Sequence, residues 1–190
     1  MKEYKLPIGC DVPETIILAD GDFPSHPLAL EWLRQCPYVV CCDGAANTYI
    51  RSGRMPEAIV GDGDSLLPDI KERYASLIHS EAEQETNDLS KAFRFCLSQE
   101  RKRITIMGAT GKREDHTIGN VSLLADYMEQ AEVSMMTDYG IFVPIREDSM
   151  FESYIGQQIS VFNMNSTALS AEGLAYPLSV FTYRWQGTLN

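Results

Sequence analysis

Asp62 and Asp64 stand at i and i+2, with Gly63 between them and the hydroxyl of Ser65 alongside. Two carboxylates and a hydroxyl at this spacing make an oxygen-rich, anionic pocket of the kind Mg²⁺ favours, while Asp-Gly is also a common turn pair. Three other clusters have a similar makeup: Asp20-Gly21-Asp22, Asp43-Gly44 and Gly108-Ala109-Thr110-Gly111. The last precedes a helical pattern and would turn backbone N–H groups toward a phosphate. It has neither a GxGxxG nor a Walker A spacing, so by itself it is a weak cradle. No Ser-His-Asp or Cys-His arrangement stands out, and a covalent intermediate is not expected.

Each cluster ends an apolar run. Thr15-Ile16-Ile17-Leu18-Ala19, Tyr38-Val39-Val40-Cys41-Cys42, Ile59-Val60 and Arg103-Ile104-Thr105-Ile106-Met107 suit strands of a parallel sheet buried on both faces. Helices are expected over 28–35, over a short stretch ending at Ser52, over 68–78 and over about 115–129. Leu89, Ala92, Phe93, Cys96 and Leu97 fall at helical spacing, and Thr86, Asn87 or Asp88 can cap that helix. In the 115–129 helix the expected apolar face is Ile118, Val121, Leu124, Ala125 and Met128. Val133-Ser134-Met135-Met136 closes the series as a strand, and residues 1–13 read as a loose lead-in.

This alternation predicts an α/β domain over residues 1–140, with a mostly parallel sheet and helices on both faces. The carboxyl ends of such strands share one edge, where ligands bind, so the four clusters should converge there. After residue 140 the pattern changes to short β-rich runs, Phe142-Val143, Ile159-Ser160-Val161-Phe162 and Ser179-Val180-Phe181, punctuated by Gly and Asn. They predict a small, sandwich-like all-β domain over residues 141–190. It reads as incomplete, or as completed by a partner.

Composition narrows the partners. Among 190 residues, Asp and Glu number 27 against 16 Lys and Arg, for a net charge of −11. Duplex nucleic acid is therefore not an expected ligand, since that binding rests on basic surface. A polyphosphate would need a cation or a local basic cluster. The five cysteines form no CxxC pair and no zinc spacing, and no apolar stretch approaches the ~18 residues of a membrane span. The odd cysteine count and the lack of an N-terminal apolar signal predict a cytoplasmic protein.

Five motifs in order resemble the thiamine pyrophosphokinase family. They are Leu18-Ala19-Asp20-Gly21-Asp22-Phe23-Pro24, Cys42-Asp43-Gly44-Ala45-Ala46-Asn47, Val60-Gly61-Asp62-Gly63-Asp64-Ser65, the stretch from Gln84 through Asn87-Asp88-Leu89-Ser90-Lys91-Ala92, and Gly108 through Arg113-Glu114-Asp115-His116-Thr117. Parts of the β-rich stretch, including Tyr176-Pro177-Leu178 and Gly187-Thr188-Leu189-Asn190, are also similar. The resemblance implies Mg²⁺-dependent transfer of pyrophosphate from ATP to the thiamine hydroxyl, in a homodimer whose site lies near the subunit interface. A nucleotide- or thiamine-binding regulatory protein, and another Mg²⁺-dependent phosphotransferase, are the alternatives. Asn87 stands where the family usually has Thr, Lys112 where it usually has Gly, and the family's chain usually runs past the position of Asn190.

The same resemblance implies roles. Asp62, Asp64 and Asp88 match metal-binding carboxylates, and Asp43 would join the metal shell through water or orient the acceptor hydroxyl. Lys91, Lys112 and Arg113 are candidates to hold phosphate oxygens, with Asp115 orienting Arg113 or capping its helix. Asp22, Asn47, Ser65, Gly108, Gly111 and His116 are nucleotide-site candidates, His116 equally suited to a structural hydrogen bond. Ser160 and Asn190 are expected polar contacts to thiamine, and Tyr176, Tyr183 and Trp185 its aromatic walls.

Overall fold

The computed structural model describes residues 1–7, 11–80, 85–164, 169–176 and 178, and the backbone of 186–189. The chain divides into two compact units, Pro7–Asp148 and a smaller one made of Met1–Leu6 with Ser149–Asn190. In chain order the elements are β1 (Lys2–Tyr4), β2 (Thr15–Leu18), α1 (Pro27–Gln35), β3 (Val39–Cys42), α2 (Ala45–Arg51), β4 (Ala58–Val60), α3 (Pro68–Arg73) and β5 (Ile78–His79). These are followed by α4 (Asp88–Ser98), β6 (Arg103–Met107), α5 (Glu114–Tyr127), β7 (Glu132–Met136), β8 (Ile141–Phe142), β9 (Ser149–Phe151), β10 (Ser160–Asn163) and β11 (Gln186–Leu189).

The larger unit is built on one seven-stranded sheet in the order β5-β4-β3-β2-β6-β7-β8. All its pairings are parallel except β7 with β8. The period-2 alternation of each strand divides its side chains between two cores. On one face Ile16, Leu18, Val39, Cys41, Ile59, Met107 and Met136 pack with Ala29, Trp32 and Leu33 of α1, Ala45, Ala46 and Tyr49 of α2, and Ile70 of α3. On the other, Ile17, Val40, Val60, Ile106 and Met135 pack with Leu89, Ala92, Phe93 and Cys96 of α4 and Leu124 and Tyr127 of α5. The runs read as continuously apolar because both faces are covered. No helix among the described residues is long and apolar enough to cross a membrane.

The strand order reverses between β2 and β6. From β2 the chain steps outward through β3 and β4 to β5, then crosses back by α4 to β6 on the opposite side. The strands that end in Gly/Asp clusters, β4, β3, β2 and β6, are contiguous and parallel, so their carboxyl ends do form one edge.

Four expectations are corrected. The 68–78 helix stops at Arg73, and a short 3₁₀ turn at Ala75–Leu77 leads into edge strand β5. Ile141 and Phe142 join the α/β sheet as antiparallel β8, because an apolar pair so soon after β7 can fold straight back on it. The lead-in is partly ordered: β1 pairs parallel with β9, and Tyr4 stacks on Phe151 at 4.6 Å. In α5 Leu124 is buried and Val121 and Met128 pack against the core as expected, but Ile118 is 60% exposed and Asn120 and Tyr127 are buried instead. Asn120 is buried where it finds hydrogen-bond partners in Asn87 and the Ala109 carbonyl.

The smaller unit is strand-rich. Besides β1–β9, it pairs β10 with β11 antiparallel, Ser160 opposite Leu189, and forms a single bridge between Ala171 and Leu178. The run at 179–181 lies outside the described residues.

Candidate active site

The β4 strand delivers the Asp62/Asp64 loop and β3 delivers Asp43. Asp43 is buried and adopts a left-handed backbone, φ 34°, immediately after its strand. Gly61 permits the close fit: a Cβ there would lie 2.8 Å from Asp43 Cβ and 3.4 Å from the carboxyl carbons of both Asp43 and Asp88. One carboxylate oxygen from each of Asp43, Asp62 and Asp64 lies within 4.8 Å of the others.

Hydrogen bonds hold this trio in place. The Asp64 N–H donates to Asp62 Oδ1 at 3.1 Å, and the Ser65 hydroxyl donates to Asp64 Oδ1 at 3.0 Å. The Ser65 N–H donates to Asp43 Oδ2 at 3.1 Å, while buried Asp43 Oδ1 has no hydrogen-bond partner among the described residues. Burial pushes the Asp43 carboxyl up to about 6, with the hydrogen bond it shares with Asp64 and the charge of Asp88 acting in the same direction and the Ser65 N–H opposing them. Asp64 is held below the usual carboxylate range, chiefly by the Ser65 hydroxyl. An orphaned buried oxygen amid three carboxylates is a donor set for a hard divalent cation such as Mg²⁺.

Asp88, expected among the metal ligands, lies outside that close trio. As the first residue of α4 it borders Gly61, and its carboxylate accepts from Lys91 Nζ at 3.3 Å. Lys91 is 5% exposed, so its ammonium is a buried cation at the carboxyl-end edge rather than a solvated surface charge. Asn87 caps α4, accepting from the Ser90 N–H at 2.9 Å. Its amide also donates to Asn120 Oδ1 at 3.1 Å, and Asn120 donates to the Ala109 carbonyl at 2.8 Å. This relay ties the start of α4 to the Gly108–Gly111 loop.

That loop meets the one after β2. The Gly21 N–H donates to the Gly108 carbonyl at 2.6 Å and the Asp22 N–H to the Thr110 carbonyl at 2.9 Å. Gly111 has a left-handed backbone, φ 78°, and a Cβ there would come within 2.9 Å of Asp22 Cβ, both of which favour glycine. The two loops border a cleft of about 150 Å³, lined by residues that include Asp20, Asp22, Phe23, Ala45, Thr48 and Lys112. It opens at the reversal of strand order, where open α/β sheets bind ligands.

Other expected residues have different surroundings. The Asn47 amide donates to the Ser65 carbonyl at 2.8 Å and its oxygen accepts from the Leu67 N–H at 3.0 Å, so it braces the acidic loop. Arg113 forks onto Asp115, Nε to Oδ1 at 3.0 Å, with both side chains well exposed, and that pairing holds the Asp115 carboxyl down at about 2. His116 is exposed in the first turn of α5. In the smaller unit Ser160 and Tyr176 are exposed, while Asn190, Tyr183 and Trp185 lie outside the described residues.

Two residues were missed. Lys71 donates to the Gly63 carbonyl at 2.6 Å and adds positive charge near Asp64; a base one helical turn past Pro68 was the available signal. Thr48 lines the cleft without any distinguishing sequence pattern.

Sheet order and site together define a doubly wound α/β protein with an acidic strand-end centre beside a switch-point cleft. The family model described as "Thiamin pyrophosphokinase, catalytic domain" matches residues 29–136, and "Thiamin pyrophosphokinase, substrate-binding domain" matches residues 140–190. The chain belongs to the thiamin pyrophosphokinase family. It is 30% identical over 129 residues to thiamine pyrophosphokinase 1 of Oryza sativa subsp. japonica, covering 55% of this chain and 49% of that protein. It thus spans about half the length of the curated relatives it matches. In fold it resembles a thiamin pyrophosphokinase family protein of Enterococcus faecalis, with a TM-score of 0.66 at 15% identity over 93% of this chain and 87% of that one. Yeast thiamin pyrophosphokinase is similar at a TM-score of 0.58 and 18% identity, over 72% and 63% of the respective chains.

Proposed function

We propose that this chain transfers a pyrophosphoryl group from ATP to the hydroxyl of thiamine, releasing AMP. The thiamine oxygen forms a bond to the β-phosphorus as the bond from that phosphorus to the α–β bridging oxygen breaks. The hydroxyl proton is lost to a base or to solvent. The observation that carries this reading is the convergence of Asp43, Asp62 and Asp64, with one buried oxygen unpartnered, beside the cleft of a chain in this family.

Asp62, Asp64 and Asp43 would hold Mg²⁺, with Asp88 adjacent. When bound, the ion neutralises charge on the transferring phosphate oxygens, which is most of what phosphoryl-type transfer requires. Lys91 presents a buried ammonium to the same oxygens, and Asp88 orients it. Arg113, pre-oriented by Asp115, offers a second cation. Asn47 and Ser65 keep the acidic loop rigid, so that charge is positioned before the substrate arrives. Ser160 and Tyr176 remain our thiamine contacts from the smaller unit, which carries the substrate-binding match.

Exposed Phe151, Tyr154, Ile155 and Phe162 in the smaller unit favour a homodimer, since such residues together are unusual on a solvated surface. Free thiols at Cys36, Cys41, Cys42 and Cys96 fit a reducing cytoplasm.

The test is AMP formation from ATP and Mg²⁺, with and without thiamine, and with EDTA. AMP and thiamine diphosphate appearing together, and vanishing with EDTA, would support the proposal. ATP cleavage indifferent to thiamine would redirect it to another phosphotransferase, and nucleotide binding without cleavage to a regulatory protein.

A further inference from the structure

Lys112 is one of three non-glycine residues with positive φ among those described, at 54°. A residue with a Cβ is strained there, and an exposed loop supplies no packing to demand it. The strain nevertheless aims the side chain across the cleft. Lys112 Nζ donates to the Asp20 carbonyl at 2.9 Å and to Asp20 Oδ1 at 3.1 Å, joining the loop after β6 to the loop after β2. Both side chains are about half exposed, 54% and 45%, and an ion pair so wet contributes little to holding the loops together.

Electrostatics supplies a better reason. Among the described residues the cleft lining includes two carboxylates, Asp20 and Asp22, and one base, Lys112. In a chain of net charge −11, a polyphosphate entering this cleft needs a local cation. Arg113 is not among the cleft-lining residues, whereas Lys112 is, and a lysine on a flexible stem can exchange one exposed carboxylate for a more highly charged phosphate.

We infer that Lys112 is a nucleotide phosphate-binding residue, whose ammonium exchanges Asp20 for the phosphate chain of ATP. The inference rests on the pyrophosphotransfer reading for its substrate. Its test compares the 190-residue chain with Lys112→Gly and Lys112→Arg. The readouts are kcat, KM for ATP, Kd for Mg²⁺-ATP by calorimetry, and Tm without nucleotide.

Lys112→Gly should raise KM and Kd about ten- to a hundredfold, the effect of one lost charge-assisted contact. It should leave kcat within about threefold and keep Tm unchanged or raise it, since glycine relaxes the left-handed turn. Lys112→Arg should keep most of the affinity. A lowered Tm with unchanged Kd would show that Lys112 merely staples two loops and would overturn the inference. Wild-type chain that binds Mg²⁺-ATP but makes no AMP would sink the reaction alone, leaving Lys112 to be judged by Kd. Absence of ATP binding in the wild type would overturn both.

Discussion

The two units handle the same kind of residue in opposite ways. In the α/β unit Phe93 is 1% exposed and stacks on Tyr127 with ring centroids 3.9 Å apart. In the smaller unit Phe162, on β10, is 56% exposed, and Ile155 and Tyr176 are more exposed still. A sheet covered by helices on both faces buries whatever its strands carry. Two-stranded ribbons leave one or both faces uncovered and are marginally stable unless something packs on them. The difference also divides the chemistry: the carboxylates, the buried lysine and the glycine loops all belong to the unit whose rigid sheet can hold them.

That contrast can be broken in several ways. The largest effect is expected from Asp64→Asn, which should cut turnover about a thousandfold or more by removing a ligand of the proposed cation site. Because Asp64 is exposed and outside the core, its Tm should stay near wild type. Turnover close to wild type in steady-state assays would remove Asp64 from the proposed metal site.

Phe93→Ala should cost about 3–5 kcal/mol in denaturant unfolding, as expected for emptying an aromatic site in a packed core. The matching Phe162→Ala should change stability by no more than about 0.5 kcal/mol if that face meets only water. A larger, concentration-dependent loss at Phe162 would instead mark a face covered by a second copy.

Tyr127→Phe deletes a hydroxyl 2.8 Å from Ser90 Oγ and should cost about 1 kcal/mol at neutral pH. It should also change the alkaline limb. Burial pushes the Tyr127 hydroxyl up to about 12 from an ordinary 10. The unfolded chain therefore ionises first, so the stability from this group is whole below pH 10 and is lost as pH rises toward 12. The Phe variant should lose stability less steeply over that window, and equal slopes in unfolding titrations would refute the assignment.

Much of the candidate site was legible in the sequence. Asp62-Gly63-Asp64-Ser65 announces itself by composition, and the apolar spacing of α4 correctly marked Leu89, Ala92, Phe93 and Cys96 as buried. Other residues were legible in type and not in role. Asn47 sits in a motif, yet nothing local reveals that its amide braces a loop some twenty residues ahead. Lys91 looks like any surface lysine at the start of a helix, because burial is set by the strands packed beside it.

What the sequence by itself determined is local: which runs become strands or helices, and which Gly/Asp clusters end them. Period-2 and period-3.6 patterns are written in neighbouring residues, so they survive without a fold. Only the tertiary structure decided that β4, β3, β2 and β6 lie side by side, placing Asp43 against Asp62 and Asp64 and Lys112 against Asp20. Those contacts depend on the order in which strands pair, and pairing order is a property of the whole sheet's packing rather than of any one segment.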